Sequence, residues 1–82
     1  MERAVRKTIR IGERREGLVP GWWCEVWIVD VRYDVGILVI PETGSRPDTW
    51  AVVRDGSGRV IWQDRIAASL DARQILRLAG LL

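Results

Sequence analysis

The chain has 82 residues, with 13 Lys+Arg against 11 Asp+Glu, 48% hydrophobic residues and no His. That is one domain of ordinary globular composition, too short for a two-domain enzyme or a large barrel. The absence of His removes the commonest general base and zinc ligand, and the lone Cys24 can form neither an intrachain disulfide nor a Cys-rich metal site.

Residues 3–11 alternate with period two. Val5, Ile9 and Ile11 face one way and Arg6, Thr8 and Arg10 the other, which predicts a half-buried strand with Lys7 as a misfit on its apolar side. Gly12 to Gly21 is charged, contains Gly and ends in Pro20-Gly21, so it reads as a connection. Residues 22–33 are β-branched and aromatic and predict the strongest strand, central because both faces are apolar. Trp22, Cys24, Val26 and Ile28 line one face; Trp23, Trp27, Val29, Val31 and Tyr33 line the other, with Glu25 among them. Cys24 in this run reads as a small buried hydrophobe. Asp34-Val35-Gly36 predicts a tight turn, and Ile37 to Ile40 a short strand pairing back.

Pro41 to Asp48 predicts a loop. Thr49 to Asp55 and Arg59 to Asp64 predict two strands joined through Gly56-Ser57-Gly58. A two-residue turn would pair Val52 with Ile61, whereas a three-residue loop would pair Val52 with Val60 and Trp50 with Trp62. From Ser69 to Ala79 the apolar spacing predicts a helix, with Ala72, Ile75, Leu76 and Ala79 on one face and Leu78 and Leu82 beside them. Ser69 is its expected N-cap, Asp71 lies in the first turn, and Gly80 ends it. The fold expected is α+β: a small curled antiparallel sheet of about five strands with one C-terminal helix packed on one face. A half-closed β-barrel plus helix is the alternative. In either case the second sheet face needs a loop, a partner or a ligand to cover it.

Charge is uneven along the chain. Residues 1–15 hold six basic and two acidic groups, residues 16–58 three and seven, and residues 59–82 four and two. Basic ends assembled on one patch would attract phosphate, against the plain reading of solvated charge. Five Trp in a chain without Phe are more than one small core hides fully, so one or two exposed indoles are expected. Trp and Arg on a sheet suit single-stranded nucleic acid, where bases stack on aromatic rings and cations follow the backbone. The candidate residues are Trp23, Trp27, Trp50 and Trp62 for stacking, and Arg6, Arg10, Arg54 and Arg59 for phosphate. The same residue types are enriched at protein interfaces, so a partner protein docked through exposed Trp is the alternative, and a homodimer is expected in either case.

No enzyme activity, cofactor or metal is expected. The carboxylates fall mostly in turns, and the one trio with catalytic potential is Glu25, Arg32 and Tyr33. Leu78-Ala79-Gly80-Leu81-Leu82 fits a helical recognition spelling but reads as core packing. The N-terminus lacks an apolar signal region and the run Gly36–Pro41 is too short to span a bilayer, so a cytoplasmic protein off the membrane is expected. Twelve Arg to one Lys and no Asn suit a thermophile, although high-GC coding gives the same skew.

The string Val53-Arg54-Asp55 to Gly58-Arg59-Val60 is similar to a hairpin of the single-strand-binding transcriptional coactivator group. The layout of curled antiparallel strands before a C-terminal helix resembles that group as well. It implies the same fold class and a single-stranded ligand. In the group the hairpin comes early, whereas here it is the last.

Overall fold

The structure is a computed structural model in which residues 7–17, 20–40 and 48–82 are described. Among the described residues five strands form one open antiparallel sheet in sequential order: β1 (Ile9–Glu16), β2 (Gly21–Ile28), β3 (Val31–Ile40), β4 (Asp48–Asp55) and β5 (Val60–Arg65). One helix, α1 (Ala72–Leu78), follows. The α+β class and the helix on one face are as expected; the sheet is not closed, so the barrel alternative falls.

The core lies between α1 and one face of the sheet. Cys24, Val26 and Ile28 of β2, Val35 and Ile37 of β3, and Ala51 and Val53 of β4 meet Ala72, Ile75 and Leu76 of α1. Each large aliphatic side chain removed from water here contributes about 1.5–3 kcal/mol. The helix is short, and its ends are closed by side chain and backbone. Asp71, not Ser69, is the N-cap, and its carboxylate accepts from the Gln74 N–H while the Gln74 side chain accepts from the Asp71 N–H. At the other end Gly80 takes φ 77°, and the Gly80 and Leu81 N–H groups donate to the Arg77 and Leu76 carbonyls. Leu78, expected beside the apolar face, is 58% exposed because that face ends at Leu76 and Ala79.

Several expected boundaries shift. The turn between β2 and β3 is Val29-Asp30, and Asp34-Val35-Gly36 lies inside a ten-residue strand. Pairing Ile28 with Val31 places Tyr33, Val35 and Ile37 opposite Val26, Cys24 and Trp22, which builds the aliphatic layer. Val31 and Tyr33 therefore move to the helix side. Gly36 is in the strand for space: a Cβ there would lie 2.6 Å from the Trp23 ring, which crosses over it. The strand β2 is interior, but β3 is the central one.

β1 extends to Glu16, through residues read as a connection, and is an edge strand. A bulge between Ile11 and Arg14 inserts one residue and switches its alternation. Arg14 then lies over the Trp22 ring on the helix side, 4.8 Å from its centroid, and Arg15 pairs with Trp23 on the other. In the β4–β5 hairpin neither expected register holds: Val52 pairs with Gln63 and Trp50 with Arg65, and a second bulge precedes Arg54–Val60. The tip is wider than its Gly-Ser-Gly signal because the Asp55 carboxylate accepts from Ser57 N–H, Ser57 O–H and Arg59 N–H at 2.9, 2.6 and 3.0 Å.

Candidate nucleic-acid interface

The second sheet face carries no covering element among the described residues. Strand alternation and register place on it Arg10 and Arg15 of β1, Trp23, Glu25 and Trp27 of β2, and Arg32, Asp34, Gly36 and Leu38 of β3. β4 adds Asp48, Trp50, Val52 and Arg54, and β5 adds Gln63 and Arg65. The face thus holds three indoles, with the guanidinium groups of Arg10, Arg15, Arg32, Arg54 and Arg65 outnumbering the carboxylates of Glu25, Asp34 and Asp48.

Each of the three indoles has an Arg against its ring. Arg54 lies 4.2 Å from the centroid of Trp23, Arg10 5.5 Å from that of Trp27, and Arg65 5.5 Å from that of Trp50. Trp23 lies with Gly36 beneath and Arg54 above. Trp27 and Trp50 are half-buried with looser Arg neighbours, which leaves more ring available. The Trp27 indole N–H donates to Glu25 at 3.0 Å, which fixes the ring's tilt.

The carboxylates are shared among the guanidinium groups. Arg32 lies 3.2 Å from Glu25 and 3.7 Å from Asp34, Arg15 lies 3.9 Å from Asp34, and Arg65 lies 3.2 Å from Asp48. The Arg32–Glu25 pair, exposed on both sides, contributes about 0–1 kcal/mol and serves mainly to orient side chains. Asp34 Oδ1 is buried beneath its two Arg neighbours and accepts no hydrogen bond among the described residues. Cys24 lies on the opposite, dry side, where burial first and the Asp34 charge second push its thiol pKa up. It is a buried hydrophobe, as its setting predicts.

Five of the eight candidate residues come together here: Arg10, Trp23, Trp27, Trp50 and Arg54. Trp62 does not, because the β5 register pairs it with Val53 and turns its ring onto the core on the helix side of the sheet. Arg59 sits in the exposed hairpin tip, and Arg6 lies outside the described residues. Arg15, Arg32 and Arg65 belong to the face but were not among the candidates. Arg15 and Arg65 fall beyond the strand ends that propensity marks, and Arg32 changes face with the turn. The trio Glu25, Arg32 and Tyr33 is not assembled, since Tyr33 packs against the core on the helix side. Among the described residues no group of three His, Cys, Asp or Glu could hold a metal, and no helix is long and apolar enough to cross a membrane.

Comparison of the chain with family models, curated proteins and solved structures finds no match in any of the three.

Proposed function

We propose that the open face binds single-stranded nucleic acid. Trp27 and Trp50 take bases, and Arg15 and Arg54 follow the phosphates. The observation that carries this reading is the concentration of three half-buried indoles and five guanidinium groups on one sheet face that no element among the described residues covers. An indole stacks on any base, at about 1–3 kcal/mol each, while an excess of Arg over carboxylate supplies attraction without sequence preference. The test is Trp fluorescence titrated with a mixed-sequence single-stranded DNA oligomer at 50 and 200 mM salt. Quenching should weaken about tenfold between the two. Trp27→Ala plus Trp50→Ala should abolish it and Trp62→Ala should not. An absence of quenching at low salt overturns the reading.

A second reading is a protein partner, a second copy of the chain included. Its support is specific: Arg32 is held between Glu25 and Asp34, and Arg65 by Asp48, so part of the charge is already neutralised as at protein interfaces. The edges β1 and β5 each have one strand neighbour among the described residues, which leaves their outer sides for pairing. Association that survives high salt, or a dimer seen in sedimentation, supports this reading over the first.

A further inference from the structure

At one end of the open face, Thr8, Arg10, Trp27, Val29 and Asp30 line a cavity of about 380 Å³. We infer that this cavity is a guanine-selective base site, an inference that rests on the open-face reading for the strand that would carry the base. Three observations bear on it.

The first is that neither charge here is held in an ion pair. Among the described residues neither Arg10 nor Asp30 forms an ion pair, although they line the same cavity. Arg10 does rest against the Trp27 ring, 5.5 Å from its centroid, whereas in the 270 Å³ hollow of Arg15, Glu16, Trp23, Asp34 and Arg54 the contacts are tighter: Arg15 is drawn to Asp34 and Arg54 lies 4.2 Å from the Trp23 centroid.

The second is that the lining is chemically mixed in a way that matches one base. Guanine carries two adjacent donors, N1–H and the N2 amino group, which one carboxylate accepts together. On its other side O6 and N7 are paired acceptors, which one guanidinium satisfies. Asp30 fits the first role, Arg10 the second once it swings off the Trp27 ring, and the ring face it leaves takes the base. Adenine and cytosine offer Asp30 a single amino group and leave an acceptor beside the carboxylate.

The third is backbone strain. Val29 has φ 55°, the one positive φ among the described non-glycine residues, and it is 60% exposed. It occupies the first central position of the two-residue β2–β3 turn, where glycine would adopt this geometry without strain. A β-branched side chain is held there at an energetic cost and lines the cavity beside Trp27, while its N–H donates to the Thr8 carbonyl at 2.8 Å. That bond ties the start of the edge strand to the turn and forms the cavity's wall.

The test uses oligothymidylate 11-mers with a single central dG or dA, all-thymidine 11-mer, and guanosine monophosphate, each titrated by Trp fluorescence. The dG strand should bind about tenfold more tightly than the dA strand. Asp30→Ala should bring the two within about twofold, at unchanged fold-averaged circular dichroism, and Val29→Gly should reduce the ratio while raising the melting temperature. If the strands bind equally well with dG or dA, the guanine site falls and the open-face reading stands. If guanosine monophosphate binds in an Asp30-dependent way and no strand does, the site stands and the open-face reading falls. If nothing binds, both fall.

Discussion

The two faces of this sheet are built from the same strands yet obey different rules. Beneath α1 the side chains are aliphatic, and Val26, Val35, Val53, Ile75 and Leu76 are fully enclosed. On the other side, Trp, Arg and carboxylate alternate, all partly in contact with solvent. A small domain has stability enough for about one dry core. The indoles on the open face therefore contribute less to holding the fold than their size suggests. The difference teaches that residue type alone does not tell which face an aromatic occupies: Trp62 and Trp50 lie in one hairpin, on opposite sides.

Substitutions should separate the faces. Leu76→Ala is expected to have the largest effect, a loss of about 2–5 kcal/mol of folding stability measured by urea denaturation. A loss below 1 kcal/mol would show that the helix side is not the core. Gly36→Ala drives a methyl group into the Trp23 ring, so it should cost about 1–3 kcal/mol and shift the Trp emission spectrum. An unchanged spectrum would mean that Trp23 does not cross the strand. Trp62→Ala should cost about 2 kcal/mol and Trp50→Ala less than 1. Equal costs would break the comparison between faces.

Smaller effects sharpen it. Val29→Gly should raise stability by about 1 kcal/mol through relief of the positive φ, read from the urea midpoint. The smallest effect is a pH dependence. Hydrogen bonds from Ser57 and Arg59 hold the Asp55 carboxyl below the usual carboxylate range. Its pKa is thus lower folded than unfolded, and its contribution is present above about pH 4 and fades as pH falls through the folded value. Asp55→Asn should flatten that part of the melting-temperature curve below pH 4. A curve identical to the parent's would remove Asp55 from the tip's hydrogen-bond network.

Much of this was legible from the residues. The alternation of Cys24, Val26 and Ile28 against Trp23, Glu25 and Trp27 separates the two faces of β2 without reference to any other strand. The helix spacing of Ala72, Ile75 and Leu76 likewise identifies its buried side. What was missed has a common origin in Gly and Asp as punctuation. Asp34-Val35-Gly36 has the composition of a turn, yet Val35 is fully buried and Gly36 leaves room for an indole from the next strand. Val29-Asp30 has the composition of a strand and makes the turn. Local propensity could not have found it, because the packing gained along all of β3 outweighs the strain at one residue.

The sequence by itself determined the element types, the order of strands before helix, and the supply of Trp and Arg at alternating positions, since these follow from short-range periodicity and propensity. Only the tertiary structure decided which of those residues share a face. A bulge of one residue exchanges the sides of Arg14 and Arg15, a displaced turn moves Arg32 onto the open face, and the β5 register carries Trp62 to the helix side of the sheet. Strand alternation has a period of two, so a shift of one residue reverses every side chain beyond it, and what fixes that shift is the neighbouring strand.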